Sequence, residues 1–314
     1  MNKIILIGTG NIGKRHLQAV INSNLVSEIY CYDLYQDALK SIPEFCQSNE
    51  IPKDKIFLEG SFEEILKKID ENSIVIVATT ANGRMELLVP IIQRKPKAIV
   101  LEKPVVQYKE QYEELEKLAE QLAVNIYVNF IAHAQNFYKR IYKELEETEE
   151  LSFYTSMPRW GLSTVGIHQI ELFLWLSKSK SYEIAYSNSN LVYEQKRKGF
   201  EDVAGTILIK NEKGHIASIR SLISDKNPSS IQICSNKNNY TIYESLNKLI
   251  IADKTGVHME DLNVKFVSQY MNEVVDDIFT NKKVYLPTIA SSRLAHNVLF
   301  DFLRIHKLEG LNIT

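Results

Sequence analysis

Short apolar runs alternate with helical patterns over the first 130 residues of the chain. The runs are rich in Ile and Val and mostly lack polar alternation, which is typical of strands buried on both faces of a parallel sheet. Five segments with helical spacing separate six such runs, and this order predicts a doubly wound α/β domain over residues 1–130. The six predicted strands are Lys3–Ile7, Glu28–Asp33, Lys55–Leu58, Ser73–Ala78, Ala98–Leu101 and Val124–Phe130.

The pattern changes over residues 131–314, where strand-like segments follow one another with short turns. Val203–Lys210 and His215–Ser224 are joined by four turn residues and predict a β-hairpin. Such a succession predicts a mostly antiparallel sheet and therefore an α+β second domain. The helices predicted in this domain are Phe137–Glu147, Gly166–Leu176, Val264–Thr280 and Thr288–His306.

Composition and charge exclude several classes of protein. The chain has 314 residues, and its 37 Lys and Arg against 39 Asp and Glu lack the positive charge that nucleic-acid binding requires. A hydrophobic content of 45% and a charged content of 24% are typical of a globular protein. No apolar segment approaches the roughly 18 residues of a membrane span, and the three cysteines form no metal-binding or disulfide pattern. We therefore expect a soluble cytoplasmic protein with no metal site, nucleic-acid partner or membrane association.

A glycine motif connects the first predicted strand to the first helix, and an acidic residue ends the second strand. Gly8, Gly10 and Gly13 have the spacing of a dinucleotide-binding loop, in which main-chain amides and a helix N-terminus hold the pyrophosphate. Asp33 can accept hydrogen bonds from the adenosine ribose and repels a 2′-phosphate. Because no Arg follows Asp33, we expect NAD rather than NADP as the cofactor. The residues assigned to the cofactor in these segments are Gly8, Gly10, Asn11, Ile12, Gly13 and Asp33.

A lysine follows the fifth predicted strand, in the sequence Glu102-Lys103-Pro104. Ligands of open α/β sheets bind beyond the carboxyl ends of the strands, so Lys103 is expected on the cofactor side. A partly desolvated lysine can exchange protons with a substrate hydroxyl. From these three residues alone, a solvated lysine in a surface turn is the alternative.

A polar stripe follows one face of the helix pattern that begins near residue 164. At about 100° per residue, Thr164, His168 and Glu171 fall on one side, while apolar residues occupy another. Histidine has a pKa suited to proton transfer near neutral pH. A polar stripe of this kind suits a helix that lines a cleft, although a purely structural histidine is the alternative.

Together these motifs resemble the glucose–fructose oxidoreductase, inositol dehydrogenase and MocA-type family of NAD(P)-dependent oxidoreductases. The resemblance also includes the segments Ala78–Asn82, Gly166–Glu171 and Glu201–Gly214. It implies an N-terminal Rossmann domain at 1–130 and a substrate-binding and oligomerisation domain at 131–314, whose open sheet forms a homodimer or homotetramer. It further implies hydride transfer between nicotinamide and a carbohydrate-type substrate, such as a sugar, a polyol or a nucleotide sugar of surface-polysaccharide metabolism.

The resemblance assigns roles to individual residues. Lys103 and His168 match the active-site lysine and histidine of the family, and either group would accept the proton of a substrate hydroxyl. Further cofactor contacts are expected from residues that follow the fourth and fifth strands. These are Thr79, Thr80, Asn82, Glu102 and Lys103. Substrate contacts are expected from Asn129, Thr164 and Glu171.

The chain departs from the family pattern at four places. Thr164 and Glu171 stand where the family commonly has Asp, and Met85 stands where it often has His. The segment that begins at Asn129 lacks the usual Arg. Two other functions therefore stay open beside the sugar dehydrogenase. One is a lyase or glycosidase that uses tightly held NAD as a transient hydride store, and the other is a non-catalytic dinucleotide-binding protein.

Overall fold

The apolar runs of the first 130 residues form one six-stranded sheet in the computed structural model of the chain. Its strands are all parallel and lie in the order β3-β2-β1-β4-β5-β6, which confirms the predicted doubly wound arrangement. The strand order reverses between β1 and β4, and ligands of such sheets bind at this point, beyond the carboxyl ends of the strands. The strands are β1 (Lys3–Ile7), β2 (Glu28–Tyr32), β3 (Ile56–Leu58), β4 (Ser73–Val77), β5 (Ala98–Leu101) and β6 (Ile126–Val128).

Helices connect these strands, as the alternating pattern predicted. The structure describes residues 1–146 and 148–313 of the chain. No helix within that part is both long enough and apolar enough to cross a bilayer. The connecting helices are α1 (Asn11–Val20), α2 (Gln36–Lys40), α3 (Ile42–Ser48), α4 (Phe62–Lys67), α5 (Arg84–Gln93) and α6 (Lys109–Gln121).

The chain divides into two units, and the first contains a segment from near the C-terminus. The first unit consists of Met1–Val106, Glu110–Ala134 and Lys265–Ser291. The main part therefore ends close to the predicted boundary at residue 130, whereas residues 265–291 had been assigned to the second domain. The physical reason is apolar packing, because Tyr270 and Met271 belong to the same buried cluster as the strands and helices of the first unit.

The second unit is built on an eight-stranded sheet in the order β14-β13-β12-β11-β7-β10-β9-β8. Neighbouring strands are antiparallel except for β7 and β10, which confirms the predicted mostly antiparallel sheet. The predicted hairpin is β9 and β10, where Lys210 pairs with Ile216. The strands are β7 (Leu151–Met157), β8 (Tyr182–Glu194), β9 (Glu201–Asn211), β10 (Ile216–Ser221), β11 (Ser230–Ser235), β12 (Asn239–Tyr243), β13 (Lys248–Asp253) and β14 (Gly256–Asp261).

Four further α-helices follow in the described part of the chain. The helix predicted over Phe137–Glu147 ends at Glu144 in the structure, and Glu147 lies outside the described residues. A π-helical turn, Gly161–Gly166, precedes the helix that carries His168. The helices are α7 (Asn136–Glu144), α8 (Ile167–Leu176), α9 (Val267–Phe279) and α10 (Ile289–Ile305).

Candidate active site

The turn between β1 and α1 has a backbone that only glycine accommodates at two positions. Gly8 has a φ of +93°, and a Cβ added there would lie 2.7 Å from the carbonyl carbon of Ala78, which follows β4. A Cβ on Gly13 would overlap the main-chain oxygen of Gly8. These two glycines therefore allow the turn, the first helix and the end of β4 to pack closely.

Gly10 differs from the other two glycines because it faces open space at the start of α1. A Cβ built on Gly10 would meet no atom within 4 Å, and Gly10, Asn11 and Ile12 are exposed. No side chain of the described residues caps this helix. The first N–H groups of a helix lack intrahelical partners and carry the positive end of its dipole. The start of α1 can therefore hold a diphosphate, and the residues present fit the predicted dinucleotide.

Asp33 joins the end of β2 to the glycine turn. Its Oδ2 accepts hydrogen bonds from the main-chain N of Thr9 at 2.6 Å and from Thr9 Oγ1 at 3.2 Å, and its Oδ1 accepts one from the main-chain N of Tyr35 at 2.9 Å. The residue is 8% exposed, while Leu34 and Tyr35 beside it are largely exposed. The carboxylate therefore has a fixed place at the carboxyl edge of the sheet, next to the turn that would hold the diphosphate.

A buried arginine holds together the loops that follow β4 and β5. The guanidinium of Arg84 is hydrogen bonded to the main-chain oxygens of Thr79 and Glu102, and it reaches those of Pro104 at 2.6 Å and Val105 at 2.9 Å. Burial disfavours its charge and lowers the pKa of Arg84 to about 10, although Glu102 opposes this effect. Thr79 and Thr80 are half-buried in the first of these loops, and Asn82 is exposed.

The carboxylate of Glu102 lies inside the first unit. Its Oε1 accepts hydrogen bonds from His16 Nε2 of α1 at 2.8 Å and from Asn129 Nδ2 at 2.6 Å. The hydroxyl of Tyr270 in α9 donates in turn to Asn129 Oδ1 at 2.6 Å. Burial alone would raise the pKa of Glu102, but the hydrogen bond and charge of His16, the charge of Lys103 and the amide of Asn129 lower it to about 2. The group is therefore an ionised carboxylate.

Two predicted ligand contacts lie within this buried network. Glu102 was assigned to the cofactor and Asn129 to the substrate, and their side chains bind each other in the structure. These assignments stay predictions. Lys103, the next residue, is half-buried and precedes Pro104 through a cis peptide bond.

The polar stripe of the second unit differs in one respect from a regular helix. Thr164 lies in the π-helical turn and not on α8, which begins at Ile167. The turn is held by Asp202 of β9, whose Oδ1 accepts from the main-chain N of Ser163 at 2.9 Å and whose Oδ2 accepts from that of Thr164 at 3.1 Å. The Thr164 hydroxyl also donates to Asp202 Oδ2.

The remaining members of the stripe lie on α8. His168 is half-buried, in the first turn of the helix, and Glu171 is 5% exposed. Gln195 of the loop after β8 donates from its Nε2 to Thr164 Oγ1 at 3.0 Å. The hydroxyl of Thr164 is thus engaged with both Asp202 and Gln195, at the end of α8 that carries His168.

Sequence reasoning missed the residues that hold the two candidate sites in place. Each is a polar or charged side chain on an otherwise apolar face, and this was the available signal. Arg84 begins an apolar helix pattern, and His16 shares the buried face of α1 with Gly13. The missed residues are His16, Arg84, Asp202 and Tyr270.

Comparison with known protein families gives a match over the first unit. Residues 2–130 match the model of an oxidoreductase family with an NAD-binding Rossmann fold. The match confirms the predicted resemblance and, with it, the expectation of an oxidoreductase that uses NAD or NADP. No curated protein matches the chain in sequence.

Solved structures of oxidoreductases share the fold over nearly the whole chain. A dehydrogenase from Clostridium difficile has a TM-score of 0.73 at 16% identity, over 98% of this chain and 99% of that one. UDP-N-acetylglucosamine 3-dehydrogenase from Acidithiobacillus ferrooxidans has a TM-score of 0.74 at 13% identity, over 98% and 99%. An oxidoreductase from Agrobacterium radiobacter, in complex with NAD+, L-tartaric acid and magnesium, has a TM-score of 0.74 at 15% identity, over 98% and 96%. The likeness establishes the fold.

Proposed function

We propose that the chain is an NAD-dependent oxidoreductase that transfers a hydride between nicotinamide and a carbohydrate-type substrate. The observation that carries this proposal is the opening at Gly10 on the N-terminus of α1, next to the fixed carboxylate of Asp33. When bound, the nicotinamide supplies the hydride chemistry, and the protein supplies binding, orientation and proton transfer.

The choice of NAD over NADP rests on Asp33. Its carboxylate can accept hydrogen bonds from the ribose hydroxyls, whereas a 2′-phosphate would meet a negative charge. Leu34 and Tyr35, which follow it, offer no cation to such a phosphate. One oxidoreductase of the same fold contains NAD+.

Proton transfer is assigned to Lys103, with His168 as a second candidate. In the oxidation direction one of these groups accepts the proton of the substrate hydroxyl, and in reduction it returns a proton to the forming alkoxide. The positive charge of Lys103 would also stabilise that alkoxide. Arg84 supports the assignment, because its guanidinium fixes the main chain on both sides of Lys103.

The substrate assignment is coarser. Thr164 and Glu171 would offer hydrogen bonds to hydroxyl groups, which suits a sugar, a polyol or a nucleotide sugar. A dehydrogenase of UDP-N-acetylglucosamine has the same fold, which favours a substrate of this type. A role in surface-polysaccharide metabolism and the homodimeric or homotetrameric state stay predictions.

Thermal unfolding in the presence of ligands tests the cofactor and substrate classes. A ligand at about 100 times its Kd stabilises the native state by about 2.7 kcal/mol, and this corresponds to a rise in Tm of about 5 °C or more for a domain of this size. We expect this rise with NAD or NADH and a smaller one with NADP, and a further rise with UDP-N-acetylglucosamine or myo-inositol. Unchanged Tm values with all nicotinamide nucleotides would contradict the proposal.

Replacement of Lys103 tests the chemistry. Because a positioned acid or base contributes about 100-fold or more to the rate, Lys103→Met should lower turnover at least that far, while NADH binding stays close to that of the unmodified chain. Lys117→Met, at an exposed lysine of α6, is the matched control.

Three outcomes separate the alternatives. Unchanged turnover in Lys103→Met would remove this lysine from the mechanism. Product formation without net change in NADH absorbance would indicate the lyase or glycosidase. Cofactor binding without reaction of any sugar, polyol or nucleotide sugar would indicate a non-catalytic protein.

A further inference from the structure

We propose that the loop between β8 and β9 binds a phosphate group of the substrate through Lys196, Arg197 and Lys198. This inference rests on the proposed function, in which Thr164 contacts the substrate, and it narrows the substrate class to carbohydrates that carry a phosphate. A sugar phosphate and a nucleotide sugar both present this chemistry, and the probes of the test distinguish them.

The loop is attached to the candidate substrate site by Gln195, the residue that precedes Lys196. Its Nε2 donates to Thr164 Oγ1 at 3.0 Å and to the main-chain oxygen of Glu201, where β9 begins, at 3.2 Å. Its main-chain N donates to the main-chain oxygen of Phe200 at 2.8 Å. The two ends of the loop are therefore joined, and the first cation directly follows a residue that is bound to Thr164.

A segment near the C-terminus holds the other side of this loop. Asn312 Nδ2 donates to the main-chain oxygen of Gly199 at 2.8 Å, and the main-chain oxygen of Asn312 accepts from the main-chain N of Glu201 at 3.1 Å. Within the loop, the guanidinium of Arg197 lies 4.5 Å from the centre of the Phe200 ring. Because the loop is held at these points, it loses less conformational entropy on binding a ligand than a free segment would.

The positive charges of the loop have no ion-pair partners. Lys196, Arg197 and Lys198 are exposed, and none of them forms an ion pair with another residue in the described part of the chain. The carboxylate of Glu194, at the start of the loop, accepts from the main-chain N of Gly199 at 3.0 Å. Consecutive cations without ion-pair partners attract anions, and lysine and arginine are the side chains that bind phosphate in proteins.

A fourth cation lies at the same corner of the second unit. The guanidinium of Arg159, which is exposed, lies 5.3 Å from the centre of the Tyr193 ring in β8. Tyr193 pairs with Asp202 of β9, which accepts from the main-chain N of Thr164 at 3.1 Å. Asp202 is buried and Glu201 is half-buried. The cations of this corner are therefore more open to a ligand than these two carboxylates are.

Binding of three probes tests the inference in the presence of saturating NADH, which would occupy the diphosphate site at α1. The probes are N-acetylglucosamine, N-acetylglucosamine 1-phosphate and UDP-N-acetylglucosamine, and isothermal titration calorimetry with the full chain measures each Kd. The phosphorylated probes should bind at least about tenfold more tightly than the neutral sugar, which is what one hydrogen bond from a cation to a phosphate contributes. The tighter of the two phosphorylated probes identifies the source of the phosphate.

Two matched double variants separate the charge of the loop from that of the rest of the surface. Lys196→Gln/Lys198→Gln removes two charges and keeps Arg197 in place, whereas Lys282→Gln/Lys283→Gln removes two exposed lysines of the first unit. In the loop variant the Kd of the phosphorylated probes should rise about tenfold or more, while the Kd of NADH and the Tm stay close to those of the unmodified chain. In the control variant all of these values should stay unchanged.

Salt provides a measurement that a merely structural role of the loop would not affect. Raising the ionic strength from about 0.1 M to about 1 M shortens the Debye length from about 10 Å to about 3 Å. This change should weaken the binding of the phosphorylated probes more in the unmodified chain than in the loop variant. An equal loss in the two proteins would contradict a role of the loop charges.

Equal Kd values of the phosphorylated probes in the loop variant and in the unmodified chain would overturn the inference, as would phosphorylated probes that bind no more tightly than the neutral sugar. Because calorimetry needs no turnover, this result does not depend on hydride transfer. Turnover of a neutral polyol, together with phosphate binding that the loop variant leaves unaltered, would refute the role of the loop alone. Phosphate binding that the loop variant weakens, without turnover of any probe, would contradict the proposed reaction and support the binding site.

Discussion

Replacement of Gly10 with alanine should separate the folding of the first unit from its capacity to bind a dinucleotide. Gly10 has φ −65° and ψ −167°, a conformation open to alanine, and the new Cβ would contact no atom within 4 Å. Alanine lowers the entropy of the unfolded chain, which stabilises the fold by about 0.4–1 kcal/mol. Alanine is also a poorer N-cap than glycine, by roughly 0.5–1 kcal/mol. These effects nearly cancel, so we expect a Tm close to that of the unmodified chain.

The effect on binding should be much larger. The added methyl group of Gly10→Ala would occupy the space through which a phosphate approaches the main-chain N–H groups of α1. A hydrogen bond to a charged group contributes about 1.5–3 kcal/mol, so the loss of two such bonds costs about 3 kcal/mol or more. At about 1.4 kcal/mol for each factor of ten, the Kd for NADH should rise on the order of 100-fold.

Fluorescence titration with NADH, together with thermal unfolding, measures both quantities. Gly13→Ala is the matched control, because its Cβ would overlap the main-chain oxygen of Gly8 and should destabilise the fold by about 1–3 kcal/mol or more. Gly13→Ala should therefore lower both Tm and binding, whereas Gly10→Ala should lower binding alone. Unaltered NADH affinity in Gly10→Ala would refute the assignment of this opening to the diphosphate.

Two further predictions concern the second unit. Gly161→Ala should lower the free energy of unfolding by about 2–5 kcal/mol, because the φ of +81° disfavours alanine and the new Cβ would overlap the Asp202 carboxylate. Gly214→Ala is the control, because Gly214 has a φ of +82° but its added Cβ would meet no atom within 4 Å. In urea unfolding it should lower the free energy of unfolding by only about 1 kcal/mol. Equal losses in the two variants would argue against the role of Asp202. Burial lowers the pKa of His215 below its ordinary value of 6.5, and the charge of Lys213 adds to this effect. The contribution of His215 to stability is therefore complete above about pH 6.5 and declines as the pH falls below about 6.5. His215→Asn keeps an acceptor for the main-chain N of Leu151 and cannot titrate. Between about pH 8 and 5 its free energy of unfolding should therefore decline less than that of the unmodified chain. An equal decline in both proteins would exclude His215 as the cause.

Local patterns in the sequence were sufficient for much of the fold. The two closing helices were predicted at Val264–Thr280 and Thr288–His306, and they extend over Val267–Phe279 and Ile289–Ile305. The parallel sheet and the hairpin of β9 and β10 were predicted in the same way. Helical and strand periodicities and the turn residues between them are properties of neighbouring residues, so the chain by itself determines these elements. The glycine turn belongs to this class, since its spacing requires only one strand and the helix that follows.

The tertiary structure decided which distant residues meet. Tyr270 of α9 binds Asn129 through packing that no local pattern reveals, and this contact completes the network around Glu102. Asp202 likewise accepts a hydrogen bond from Thr164, which lies in a π-helical turn, although helical periodicity alone placed Thr164 and His168 on one face. The physical reason is that a buried polar group must find a partner wherever the packed elements place one. The partner is therefore set by how helices and strands pack, and the periodicity of the two segments does not predict it.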